Sequence, residues 1–178
     1  LNVRSRRQRQ MCIRDSVIEN ERKGNYLGKT VQVVPHITDE IKRRIHIAAE
    51  DCDMLIGEIG GTVGDIESLP FMESIRQFAH DVGSENVIFI HLVLIPYLKV
   101  AGELKSKPAQ HSVKELRGIG LFPNVILCRA DRDIDQSILD KISLFCNVPK
   151  SSVFKSLDLD SIYKVPLEFH KQGLDQKI

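Results

Sequence analysis

The chain has 178 residues, enough for one compact domain at roughly 150 residues per domain, and its 42% apolar and 28% charged content excludes a mostly disordered protein. The longest apolar run, Val87 to Pro96, is interrupted by His91 and falls short of the roughly 18 residues that would span a bilayer, so no membrane association is expected. The net charge of +1 hides an asymmetry: residues 1–16 carry five arginines against one aspartate, and residues 17–178 are left mildly acidic.

The basic leader, with Arg4, Arg6, Arg7 and Arg9, runs into no apolar signal core. It also lacks the interleaved aromatics and the recognition fold of a nucleic-acid-binding arm, so no nucleic-acid partner is expected. Residues 1–16 are read as an Arg-rich leader foreign to the fold, and residues 17–178 as the domain. Cys12, Cys52, Cys128 and Cys146 show no Cys-x-x-Cys spacing. They are read as free thiols of a reducing cytoplasm rather than a zinc site or disulfide framework.

The elements follow in order. Gly24 to Thr30 imitates a phosphate-binding loop but has three residues between its glycines where that motif needs four, and no apolar strand precedes it. Thr30 to Val34 alternates β-branched residues and stops at Pro35, which predicts a short strand. Thr38 is expected to cap a helix with Asp39 and Glu40 in its first turn and Ile41, Ile45 and Ala48 on one face. Asp53 to Ile59 reads as a core strand ending at Gly60-Gly61, and Ser68 with Pro70 opens a helix carrying Phe71, Ile75 and Phe78.

The alternation continues with a strand from Val87 to Leu94, a loop, and a helix capped by Ser112. A strand from Val125 to Cys128 and a helix from about Asp135 to Phe145 come next. Val153-Phe154 and the amphipathic stretch Ile162 to Phe169 complete the series. Strands alternating with helices predict a doubly wound α/β domain around a mostly parallel sheet. Ligands of such folds sit beyond the carboxyl ends of the strands.

Those ends carry the chemistry. Glu58 leaves an apolar strand, as carboxylates that hold Mg²⁺ beside phosphates do, and Asp65 and Glu67 follow across a glycine-rich loop. Lys105 and Lys107 stand two apart before Pro108, and extended backbone would point both toward one polyphosphate. Arg129 ends the next strand, where it can stack on a base, contact phosphate or pair with Asp131. His111-Ser112 offers no hydrolase site, because no Gly-x-Ser-x-Gly elbow accompanies it.

Five ordered motifs go further. Gln32 to Thr38, Glu58 to Pro70, Lys105 to Leu116, Leu144 to Pro149 and Asp160 to Lys164 resemble the N-terminal amidoligase (synthetase) domain of the CTP synthase family, from about Val17 to the last residues. The resemblance implies a P-loop/Rossmann-like synthetase fold, incomplete at its N-terminal side, and an ATP-dependent ligase. In that family ATP phosphorylates the 4-oxygen of UTP, and ammonia released from glutamine in a separate C-terminal domain displaces the phosphate to give CTP, the last step of de novo CTP synthesis.

Carried over by position, the resemblance implies Glu58 as a Mg²⁺ ligand, and Asp65, Ile66 and Glu67 as contacts of the inhibitor CTP. It implies Lys105, Ser106, Lys107, Pro108, Ala109, Gln110 and Lys141 as contacts shared by UTP and CTP. Leu157, Asp158 and Leu159 match the ATP segment, and Arg129 an adenine contact. No general base is assigned. The family's tetramer shares its nucleotide sites between subunits. The family's own phosphate loop, a further Mg²⁺-binding Asp and the glutaminase domain have no counterpart in the matched motifs. Two readings therefore stay open: part of a glutamine-dependent CTP synthase, inactive by itself, or a non-catalytic module that binds pyrimidine nucleotides or partner subunits. A different phosphate-loop ATPase is disfavoured by the ordered motif set.

Overall fold

The computed structural model describes residues 6–178, and Leu1 to Ser5 of the leader lie outside the described residues. The chain divides into two compact units, Leu1–Val82 and Gly83–Ile178.

The first unit is helical. Helix α1, Arg6–Arg22, runs through the point at residue 16 where the composition changes, and it buries Ile13 and Val17. Thr30 to Val34 forms no strand. At Val33–Ile37 the chain instead kinks, with Val34 extended (φ −110°, ψ 122°) before Pro35, and leads straight into α2, Thr38–Ala49. Thr38 is therefore the first residue of the helix rather than its cap. Its buried hydroxyl donates to the Pro35 carbonyl at 2.9 Å. Helix α3, Leu69–Val82, packs on α2 through Ile41, Met72 and Ala79, with the His46 and Phe78 rings 4.9 Å apart. The predicted stripe of Phe71, Ile75 and Phe78 is half-buried; Met72, Ser74 and Ala79 lie deepest.

Asp53 to Ile59 also joins no ladder, and Met54, Leu55 and Ile56 are 67%, 41% and 87% exposed. A strand is stable only through its neighbours' hydrogen bonds and side chains. Among the described residues none pairs with this segment.

Glu40 supplies the main polar anchor of the unit. The carboxylate is 7% exposed, bonds Arg43 Nε at 2.8 Å and Arg44 Nε at 2.8 Å, and is bonded by Ser16. Arg44 also reaches the Cys12 carbonyl at 3.1 Å, tying α1 to α2. The Arg43 hydrogen bond, outweighing burial, holds the Glu40 carboxyl down at about 2. A carboxyl depressed by folding adds stability above its unfolded pKa, near 4.3, and loses it as pH falls toward the folded value. Between about pH 5 and pH 2 this unit should lose on the order of 2 kcal/mol of stability through Glu40, and Glu40→Gln should flatten that dependence in acid unfolding followed by circular dichroism. An unchanged slope would exclude Glu40 as the anchor.

The second unit is the α/β sheet. Strands β1 (Ile90–Leu94), β4 (Val125–Ala130) and β5 (Val153–Leu157) run parallel in the order β1-β4-β5, with Val93 opposite Cys128 and Cys128 opposite Lys155. A small antiparallel hairpin, β2 (Tyr97–Leu98) and β3 (Glu103–Leu104), follows β1. Helices α4 (Lys107–Gly118) and α5 (Gln136–Cys146) cover one face, where Val93, Val113, Ile126, Cys128, Ile134 and Ile142 form the core. Helix α6 (Val165–Lys171) and Leu174 cover the other face, over Val125 and Phe154. The alternate burial of β4 residues on both faces is what a doubly covered parallel strand requires. The fold is thus the mixed α/β, mostly parallel class that the alternation predicts.

Helix α4 begins at Lys107, five residues ahead of the predicted cap. Ser112 lies inside it, and its hydroxyl meets His91 Nε2 at 2.9 Å. Burial keeps the His91 imidazole below its ordinary pKa. Burial likewise pushes the Cys128 and Cys146 thiols up to about 12 and 11, so they are packing groups rather than nucleophiles. At the outer edge of β5 the Gln172 carboxamide accepts from the Lys155 N–H at 2.9 Å and donates to the Lys155 carbonyl at 3.0 Å. One side chain there stands in for a neighbouring strand.

Candidate nucleotide site

The carboxyl ends of the three parallel strands carry three loops held together by polar contacts. After β1, the hairpin positions Lys105, whose N–H donates to the Pro96 carbonyl at 2.9 Å. After β4, Arg132 lies with its guanidinium carbon 3.4 Å from the Tyr97 ring centroid, so a cation–π contact joins that loop to the hairpin. On the other side Lys155 Nζ reaches Asp133 at 2.6 Å, and the Asp158 N–H donates to the Ala130 carbonyl at 3.0 Å. The rim is therefore stitched from β1 across to β5.

Arg129 does not pair with Asp131. Its Nε donates to Asp158 at 2.9 Å, while Asp131 is bound by Arg132 at 3.0 Å, which lowers the Asp131 carboxyl. Parallel register explains the exchange. Arg129 lies opposite Ser156, so its side chain projects toward the end of β5, next to Asp158. Two of the expected ATP residues thus touch each other. Leu157 is half-buried, and Asp158 and Leu159 are exposed.

The alternation argument for Lys105 and Lys107 does not hold. Ser106 between them is helical in backbone (φ −83°, ψ −12°), and Lys107 is already in α4, with Pro108 in the first turn. That proline was the overlooked signal, since proline favours the first helical turn. Lys107 and Pro108 are exposed and Gln110 is half-buried, its amide donating to Ser106 Oγ at 3.1 Å. Ser106 and Ala109 are buried at 8% and 1% exposure.

Lys105 Nζ bonds Glu103 two residues back. That bond, reinforced by the Lys105 charge and further by Lys141, lowers the Glu103 carboxyl. Of the expected pyrimidine-nucleotide lysines, Lys105 is the one that bonds this carboxylate. Sequence reasoning missed Glu103, Tyr97 and Arg132. For Glu103 a signal was available: opposite charges at i and i+2 on a short strand share one face. An open groove of about 770 Å³ lies beside β5, lined by Asp133, Lys150, Lys155, Glu168 and Gln172, but of the expected site it holds only Leu157.

In the first unit Glu58 is exposed on the unpaired segment, and Asp65, Ile66 and Glu67 form the exposed approach to α3, with Ser68 Oγ donating to the Asp65 carbonyl at 2.8 Å. No group of three His, Cys, Asp or Glu side chains gathers among the described residues. Mg²⁺ beside phosphates takes one or two protein carboxylates and completes its shell with phosphate oxygens and water, and a lone exposed Glu58 fits that mode.

The geometry defines the class: a parallel α/β sheet covered by helices, with cationic side chains at the strand ends where such folds take ligands. Comparison with known proteins then places the chain. The model for the N-terminus of CTP synthase matches residues 4–178, so the chain belongs to the CTP synthase N-terminal family. It is 59% identical over 165 residues to the CTP synthase of Clostridium kluyveri, covering 92% of this chain and 31% of that protein. It is 58% identical to the CTP synthases of Maridesulfovibrio salexigens and Geobacter metallireducens, over 163 residues of each and 30% of their length. The chain thus spans about a third of the length of these relatives. No helix among the described residues is long and apolar enough to cross a membrane.

Proposed function

We propose that this chain is the nucleotide-handling part of a glutamine-dependent CTP synthase, which aminates UTP to CTP at the expense of ATP in the cytoplasm. One observation carries the reading most directly. Side chains expected for two different nucleotides, Lys105 for UTP or CTP and Arg129 and Asp158 for ATP, stand at the carboxyl-end loops of a single sheet.

A ligase that phosphorylates one nucleotide with another must bring two polyanions together, and fixed cations offset their repulsion while positioning lowers the barrier to transfer. In this reading Lys105 and Lys107 meet the UTP phosphates, Ser106, Pro108, Ala109, Gln110 and Lys141 complete the pyrimidine-nucleotide site, and Leu157, Asp158, Leu159 and Arg129 receive ATP. Mg²⁺, when bound through Glu58, would neutralise triphosphate charge. Asp65, Ile66 and Glu67 would sense the product CTP. Ammonia would come from a glutaminase domain, and a homotetramer would complete the sites. No nucleic acid or membrane takes part.

The test uses a polypeptide of the relatives' length that carries this region. It should convert UTP to CTP with ATP and glutamine, and Glu67→Ala should weaken CTP inhibition about tenfold or more while the activity survives, as loss of a hydrogen bond to a charged group would do. Absence of conversion would overturn the enzyme reading, and unchanged inhibition would remove the role of Glu67.

A further inference from the structure

Glu103 is the feature of this rim that the reading above does not use. It lies in β3, its backbone pairing with Leu98, so its place is set by the hairpin and not by its carboxylate. The side chain is 58% exposed and has room to turn away. It bonds Lys105 directly, and its place two residues before that lysine keeps the pair within reach. A carboxylate paired with a binding lysine cancels part of the field that would attract a polyphosphate, and it repels any phosphate that arrives.

We infer that Glu103 is an internal counter-ion for a nucleotide-binding lysine, holding Lys105 while the site is empty and giving way when a triphosphate takes its place. Resting on the assignment of Lys105 to UTP and CTP, this inference makes Glu103 a determinant of affinity that sets how much UTP the site needs. It is a positioning residue with an opposing sign: its removal should improve binding. Exposed pairs of this kind are weak, so the gain is bounded at about two- to fivefold.

The measurement is the UTP concentration at half-maximal rate, together with turnover at saturation, in the family-length polypeptide. Glu103→Gln should lower the half-saturating UTP concentration about two- to fivefold and strengthen CTP inhibition by a similar factor, with turnover at saturation little changed. Glu103→Asp, which keeps the charge, should stay near the parent value. An unchanged or raised UTP requirement in Glu103→Gln would overturn the inference, as would an Asp variant that behaves like Gln. Lys105→Ala separates the two levels of the argument. If it raises the UTP requirement while Glu103→Gln does nothing, only the counter-ion role falls. If Lys105→Ala also changes nothing, the nucleotide assignment of the lysine falls and takes the role of Glu103 with it.

Discussion

Replacing Lys105 and Lys107 together by Ala, in a polypeptide of the relatives' length, should raise the UTP concentration for half-maximal rate by about 10²- to 10⁴-fold. A charge-assisted hydrogen bond to phosphate is worth on the order of 1.5–3 kcal/mol, and two such contacts are removed. The substitution should leave the fold alone, because Lys107 is exposed and the Lys105 side chain is 37% exposed, with Glu103 its partner among the described residues. Turnover at saturating UTP should fall much less than the UTP requirement rises, since binding to phosphates remote from the reacting oxygen acts alike on ground and transition states. Steady-state rates across a UTP series check this. An unchanged UTP requirement would remove both lysines from the site.

The second large effect concerns stability. Ile142 is fully buried on α5, in the core that also holds Ile126, Cys128 and Ile134. Ile142→Ala should destabilise the second unit by about 2–5 kcal/mol through lost burial and the cavity left behind, while Ile142→Val should cost about 0.5–1.5 kcal/mol. For a unit of this size the Ala variant should lower the unfolding midpoint on the order of 15 °C in a thermal melt. A loss under about 1 kcal/mol would mean that α5 repacks freely, and the close-packed core would not hold.

What the sequence makes legible follows from where each element finds its support. Helices α2, α3 and α5 are readable because their apolar spacing acts within a few residues; α5 starts at Gln136, one residue from the expected start at about Asp135. Strand β4 is readable from its apolar run Val125 to Cys128, and β5 from the apolar pair Val153-Phe154 that opens it. Asp53 to Ile59 has the same composition and forms no ladder, because strand pairing is a property of neighbours and not of the segment. Thr30 to Val34 misleads for a different reason: the chain kinks at Val34–Pro35, so the segment joins no ladder and α2 opens at Thr38.

The site is legible to the same degree. Residue types at strand ends point to nucleotides, but partners depend on register, which no local pattern reveals. Arg129 and Asp158 meet across 29 positions of sequence only because β4 and β5 are aligned as they are.

The Gln172 carboxamide has a consequence for how this protein meets copies of itself. A sheet margin with bare N–H and C=O groups is an invitation to a foreign strand. At β5 that invitation is already answered at Lys155, in the middle of the strand, by a group that cannot be recruited without first being evicted. Among the described residues β1 pairs only with β4 and has no such occupant, and its Leu92 and Leu94 are more than half exposed. A foreign strand aligned along the middle of β5 would have to displace that carboxamide from both backbone groups of Lys155.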